Sequence, residues 1–450
     1  MTKRIERSNI MILQEKILED LKNEGKYSNG DVKLELTQDG VDMIFNKKEN
    51  IRETLLTGID KKEILNANPA EIQVTDFISK NTKITKDTKQ QLILSSSGGI
   101  EDCVDELLNF CYRMQETYDK TASHITRMFG SYILIVRRND ELKAIYSTPS
   151  PMKYCPLMFK LLREIGGDIA DNLLASLKNG KQDEYQKHML DLINNVVIKG
   201  GGFNDNRPLN SCEKNVTFGA SEIMSDAMQT GKIDAAVIVS NNLGTVITTT
   251  PVTTQGVVKR MTGLFYTTPS PDLVKGAFKN DIIPVFPFTG KIDQVEGVKQ
   301  AIKLGFKNIS VSVAANDNYK LKELSSLETE GINIYRFGLC ATGINNETAE
   351  IMAQNADIVW SCASKPVREL IAPKAISQVG VKIPVYILSK RGWELVKPRI
   401  GEIDGKFDLD GVILADGENM PVIYNKQGEL VSMKFSELDE RCVDCPEPCV

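Results

Sequence analysis

The sequence predicts an α/β protein built on a mostly parallel sheet flanked by helices, with an α+β N-terminal region and a small β-rich C-terminal segment. Three observations carry this. From residue 216 to 398, strand-like and helix-like runs alternate: DIIPVFPF, VEGVKQAIKLGF, NISVSVAA, INIYRFGL, NETAEIMAQNA, DIVWSCAS and VKIPVYILS. The run IDAAVIVS is apolar on both faces, as a strand inside a parallel sheet is. Past Pro398 the pattern shifts to short strands (GVILA, MPVIYN, ELVSMKF) with turns at Asp416-Gly417 and Gln427-Gly428.

Four regions follow, 1–100, 101–215, 216–398 and 399–450. The first opens with an amphipathic helix near Ile10 to Asn23, continues with VKLELT and VDMIF across the hairpin signal Asp39-Gly40, and ends in a linker at Ser95 to Gly99. The second begins with EDCVDELLNFCYRMQETYDKTASHITRMFG, whose spacing predicts one long helix, then SYILIVRR and LKAIYS across Asn139-Asp140. Helical residues from about 160 to 200 stop at Gly200-Gly201-Gly202. The third opens with a helix in which Ile223, Met224, Ala227 and Met228 share a face, closed by Gly231. After it come the strand IDAAVIVS and a Gly- and Thr-rich loop. The Gly244/Thr245 turn and Thr248 to Pro251 are expected at the carboxyl edge of that strand, where open α/β sheets bind ligands.

Composition narrows the function. The chain has 450 residues, a net charge of −5 and only two Trp, which argues against a nucleic-acid surface with its basic stripe and stacking aromatics. No run of eighteen apolar residues occurs and the N-terminus mixes charges with hydrophobes, so a cytoplasmic protein with no membrane partner is expected. Nine cysteines suit a reducing compartment in which thiolates bind metal or simply pack. Gly-x4-Gly-Lys-Ser/Thr, Gly-x-Gly-x2-Gly and His-Glu-x2-His are all missing, which removes the usual warrant for nucleotide hydrolysis, dinucleotide binding and zinc proteolysis. With only His124 and His188, both in predicted helices, any chemistry is expected from Cys, Lys, carboxylates, Tyr or a cofactor.

The candidate ligand-binding residues are small, hydroxylated or cationic. Gly219 and Ser221 open a helix, and Gly244, Thr245, Thr248 and Thr249 follow the apolar strand. The loop Arg260 to Pro269 offers Arg260, Gly263, Tyr266, Thr267 and Thr268 to a phosphate and a flat ring, as a flavin or deazaflavin needs. Lys291 and Asp293 begin another helix, where a free N-terminus favours anions or Asp293 serves as a cap. Glu222 suits capping or catalysis. Cys362, at a strand's carboxyl end beside Lys365 and Arg368, is a candidate low-pKa catalytic thiol with Lys365 as its partner. Cys442, Cys445 and Cys449 form Cys-x2-Cys-x3-Cys, three of four ligands for an iron–sulfur cluster or another metal, with Cys155, Cys362 or a neighbouring subunit of a homo-oligomer as the fourth. A redox-sensitive or inert tail is the alternative.

The series KYCPL, TFGASEIM, IDAAVIVS, GTVITTTP, TQGVVKRMTGLFYTTPSP, KIDQVEGVKQAIKLGFKNISVSVA, TGINNETAE, CASKPVRE and IPVYILS resembles the methanogenesis-marker-8 family over about residues 124–395. The resemblance implies a setting in anaerobic methanogenic metabolism. Within it, the first expectation is an accessory or assembly factor that handles a redox cofactor or metallocluster, with methyl-coenzyme M reductase system proteins as partners. The order of the turn, Gly-x-Ile-Asp-x-Ala, Gly-x-x-Tyr-Thr-x-Pro and a loop opening a helix is also similar to the flavin-binding β subunit of deazaflavin-reducing hydrogenases. That implies a flavin- or deazaflavin-dependent oxidoreductase, although Thr289 to Gln294 lacks the cluster-binding Cys of those proteins. A third expectation is a sensor or scaffold that binds a small anion without turnover.

Overall fold

The computed structural model describes residues 13–48, 78–88, 90–119, 124–138, 141–150, 162–163, 165–205, 207–214, 216–259, 263–380, 383–404, 423–424 and 430–432. The N-terminal part consists of α1 (Leu13–Glu24), β1 (Lys26–Ser28), β2 (Val32–Leu36), β3 (Gly40–Asn46), β4 (Thr82–Asp87), β5 (Gln91–Ser97) and α2 (Ile100–Asp119). Its sheet is antiparallel throughout, and Ile17, Leu21, Leu34, Met43, Leu94 and Leu107 form its core. The hairpin at Asp39-Gly40 is present. Ser95 to Ser97, expected as linker, complete β5, because alternating Leu92 and Leu94 drive that segment into the core.

Helix α2 stops at Asp119 instead of running to Gly130. Residues 124–128 instead form β6 (His124–Met128), which pairs with β7 (Ser131–Arg138), followed by β8 (Glu141–Ser147). Ile125 and Thr126 are β-branched, and pairing with Leu134 and Ile133 overrides the helical spacing. Helices α3 (Gly167–Lys178) and α4 (Gln182–Leu192), the latter continued by a π turn to Ile198, pack Leu173, Tyr185 and Leu192 over this sheet.

The central region runs α5 (Ala220–Gln229), β9 (Ala235–Ser240), β10 (Gly244–Thr248), α6 (Pro251–Lys259), β11 (Gly263–Thr267), α7 (Pro271–Lys279), β12 (Ile282–Pro284), α8 (Gln294–Lys303), β13 (Asn308–Ala314), α9 (Tyr319–Ser325), β14 (Asn333–Leu339), α10 (Asn346–Asn355), β15 (Ile358–Trp360), β16 (Ser377–Val379), β17 (Val385–Ile387) and α11 (Lys390–Asp404). Eight strands form one sheet in the order β12-β10-β9-β13-β14-β15-β17-β16. Here the expectation of a mostly parallel sheet is corrected. The pairs β9·β13, β13·β14 and β14·β15 are parallel, but β12, β10, β17 and β16 join antiparallel at the two edges.

The cause on one side is a tight hairpin. Asn242 (φ 65°) and Gly244 (φ 69°) take the left-handed conformation, and the chain reverses straight into β10, so Gly244 to Thr248 form a strand and not a loop. Helices cover both faces. Met224, Val257, Leu273 and Trp393 pack on one, and Val298, Leu321 and Met352 on the other. β11 leaves this sheet to pair with β6, tying the four-stranded sheet to the centre. Further on, Ile423–Tyr424 and Leu430–Ser432 form a two-stranded antiparallel pair.

Candidate functional site

The parallel strands β9, β13 and β14 end side by side, and β11 lies across their carboxyl ends. Val239, Ala314 and Leu339 from the strand ends, Gly263 and Leu264 from β11, and Gln294, Ser312, Asp317 and Cys340 enclose a narrow cleft of about 20 Å³. Gly263 is needed for this approach. A Cβ there would lie 3.1 Å from Arg127 and 3.3 Å from the Cys340 sulfur. Beside it, a wider groove of about 130 Å³ is lined by Asp293, Glu296, Lys299, Tyr319, Lys320 and Glu323. Lys320 divides the two. Its buried ammonium donates to Gln294 Oε1 at 2.9 Å, Asp317 Oδ2 at 2.9 Å and Ile292 O at 3.3 Å, while Gln294 Nε2 donates to Ser312 O at 3.3 Å.

A second polar cluster sits where β6, β9 and β11 meet. His124 Nδ1 lies 2.9 Å from Thr267 Oγ1, which also accepts from the Asn242 N–H at 2.8 Å. Burial drives the His124 pKa down to about 3, helped by the charges of Arg137, Lys48 and Arg207, so this imidazole is neutral. Asp205 bridges Arg137 and Asn242, and Arg207 donates to Ser240 Oγ and Asn241 O. Lys48, from just after β3, donates to the carbonyls of Thr267 and Thr289.

The structure brings only some of the sequence candidates together. Gly263 lines the cleft, and Tyr266 and Thr267 extend from the same strand toward Lys48 and His124. Thr268 is buried one residue on. Thr245 anchors the neighbouring loop: its hydroxyl donates to Lys291 O and accepts from the Asp293 N–H. Gly244 packs against Gly290 in a backbone-to-backbone contact. Lys291 pairs with Asp293 at 3.2 Å, and Asp293 caps α8 by accepting from the Glu296 N–H at 3.1 Å. Burial raises the Asp293 carboxyl, but that N–H and Lys291 outweigh it and leave it below the usual range.

Other candidates lie elsewhere. Thr248 and Thr249 fall at the far end of β10, where Thr248 bonds Thr254 and Thr249 bonds Asp281 O. Glu222 folds back over Gly219, accepting from Ser221 Oγ, the Val216 N–H and Gln255 Nε2. Cys362 departs from the expectation of an acidic thiol. Burial pushes it up to about 11, and Lys365 lies 3.6 Å from Glu369. Arg260, Cys155, Cys442, Cys445 and Cys449 lie outside the described residues; among those described, no three of His, Cys, Asp and Glu gather in a metal-binding group. Nor is any described helix long and apolar enough to cross a membrane.

Sequence reasoning missed His124, Arg207, Lys320 and Cys340. For His124 the signal was there, since the β-branched pair Ile125-Thr126 after it favours a strand.

These features define an α/β protein whose cleft lies at the carboxyl ends of parallel strands, the position at which open α/β sheets hold ligands. The chain belongs to a family described as an uncharacterised protein conserved in archaea (DUF2099), whose model matches residues 124–401. It is similar to a protein of Methanocaldococcus jannaschii named "Uncharacterized protein MJ0054", with 32% identity over 304 residues, covering 68% of this chain and 97% of that one.

Proposed function

We propose that this chain is a ligand-handling accessory protein of anaerobic archaeal metabolism, binding a small molecule with an apolar body and a polar end at the sheet edge. The observation that supports this is the cleft itself: Val239, Leu264 and Leu339 offer apolar walls, while Gln294, Ser312 and Asp317 offer polar groups on rigid elements. The methanogen relative and the marker-8-like motifs favour a methanogenic setting, with a redox cofactor or its precursor as cargo. At about 20 Å³ the cleft has room for little more than a water molecule, so a ligand enters only as β11 moves aside. Catalysis through an ionised thiol is the weaker reading, because burial holds Cys362 protonated.

The test is native mass spectrometry of the protein purified without oxygen from an archaeal host. Wild type is expected to carry a small molecule that Gly263→Val, folded by circular dichroism, does not. Equal occupancy in the two proteins sinks this placement of the site.

A further inference from the structure

The groove beside the cleft has the room that the cleft lacks, about 130 Å³ against about 20 Å³, and it is open to solvent on one side. Two helix faces form it. α8 contributes Val295, Glu296 and Lys299, with Asp293 at its cap, and α9 contributes Tyr319, Lys320 and Glu323. Each set of three falls at i, i+1 and i+4 and so lies on one side of its helix.

The charges in this groove divide into two groups. Asp293 pairs with Lys291 at 3.2 Å and caps α8, and Lys320 pairs with Asp317 at 2.9 Å, so these four neutralise one another. Among the described residues, Glu296, Lys299 and Glu323 have no ion-pair partner. Glu296 Oε1 accepts from the Gln300 amide at 2.8 Å, a neutral donor. Glu296 and Lys299 are three residues apart on one face, a spacing at which opposite charges ordinarily close on each other. Here they stand apart across the groove wall. The floor is apolar, because Val295 is buried, and Tyr319 borders it with 60% of its surface exposed. Lys320 reaches to 5.8 Å from the centroid of that ring and still leaves most of it open. An open aromatic face beside a carboxylate favours an organic cation. Two carboxylates and one ammonium are thus left for a ligand, and their complement is two cations and one carboxylate on an aliphatic stem.

We propose that the groove between α8 and α9 binds a free basic amino acid, an α-amino acid with a cationic side chain. Glu296 takes the α-ammonium and Lys299 the α-carboxylate, since both groups leave one carbon and must be met by neighbours on a single helix face. Val295 supports the aliphatic stem. On the opposite wall, Glu323 and the Tyr319 ring hold the side-chain cation. The site stands apart from the cleft and does not rest on the cargo proposed for it.

The test titrates the full-length protein by isothermal calorimetry with L-arginine and L-lysine. L-Citrulline, which lacks arginine's side-chain charge, and agmatine, which lacks its carboxylate, are run beside them. At least one basic amino acid is expected to saturate one site with a Kd of about 1 mM or tighter. The analogues should bind about fivefold more weakly or worse. Glu323→Gln and Lys299→Met change exposed side chains, so the fold is expected to persist by circular dichroism, and each should weaken binding about fivefold. Lys299→Met should not weaken agmatine, which offers that lysine nothing to hold. No saturable heat with either amino acid overturns the proposal, as does amino-acid binding untouched by both substitutions. Citrulline binding as well as arginine, or agmatine binding better, also overturns it, because the groove then reads something other than a basic amino acid.

Discussion

The ammonium of Lys48 stands 3.6 Å from the centroid of the Tyr266 ring, joining the N-terminal sheet to the strand that closes the cleft. The same nitrogen donates to the carbonyls of Thr267 and Thr289. Lys48 lies outside residues 124–401 matched by the family model, so part of this chain's site architecture comes from its own N-terminal region. Replacing Lys48 with Met keeps the stem and removes the charge. The loss of charge-assisted bonds and the cation–π contact is expected to cost about 1–3 kcal/mol. It should appear in urea denaturation and as faster amide exchange in β11. Unchanged exchange there means that the N-terminal sheet docks without Lys48.

His124 and Asp31 make opposite contributions in acid. The folded His124 pKa of about 3 lies below the ordinary 6.5, so its stabilisation is complete above pH 6.5 and is lost as pH falls toward 3. Asp31 is buried where it accepts from the N–H groups of Phe288 and Thr289 and the Thr289 hydroxyl. Burial outweighs these bonds and raises it from 3.8 to about 6. Its contribution is complete below pH 3.8 and is lost as pH rises through 6. Urea melts at pH 8 and pH 5 are therefore expected to show the advantage of wild type over His124→Gln shrinking by about 2 kcal/mol at the lower pH. Asp31→Asn should gain on wild type, by roughly 2–3 kcal/mol, as pH rises from 4 to 7. A constant difference across pH would contradict either assignment.

Gly244 and Gly290 are left-handed residues pressed together by their backbones. A Cβ on Gly244 would lie 2.3 Å from Gly290 O, whereas one on Gly290 would meet Pro269 at 3.0 Å and Thr267 O at 3.1 Å. Gly290→Ala therefore carries mainly left-handed strain, about 1–2 kcal/mol. Gly244→Ala adds a backbone clash that cannot relax without moving the FPFTG loop, and should cost about 3 kcal/mol or more. Thermal melts rank the two. The reverse order would show that the loop, and not the hairpin, is the rigid partner.

Much of the central region was legible because burial leaves a simple pattern. AAVIVS is apolar at every position but its final Ser240 and is buried along its whole length, and VEGVKQAIKLGF repeats at helical spacing and supplies most of α8. The hairpin after AAVIVS was not legible. Gly244, Thr245 and Thr248 resemble a ligand loop by residue type, yet Val246 and Ile247 between them make a β-branched strand. The site was only half visible for a related reason. Gly263 and Thr267 stood out as small residues in a loop, but the groups that meet them come from distant segments: His124 from β6, Lys48 from the N-terminal sheet and Cys340 from a strand end. Spacing along the chain carries no trace of such meetings. Cys340 has nothing local to mark it, since its left-handed backbone is set by the turn that Arg127 holds.

Chain neighbours and folded environment pull the Cys362 thiol in opposite directions. Read from the chain, Lys365 and Arg368 lie nearby and would acidify the thiol. In the fold, Lys365 is engaged by Glu369, and burial pushes Cys362 up to about 11. The thiolate fraction at pH 7.5 is then on the order of a hundredfold lower than for an exposed thiol with the usual pKa. Iodoacetamide at limiting concentration should label exposed Cys212 at least tenfold faster than Cys362, with the gap narrowing as pH rises toward 10. Lys365→Gln should leave the Cys362 rate unchanged. If that substitution slows labelling severalfold while the fold is intact, the lysine does reach the thiol, and Cys362 returns as a nucleophile.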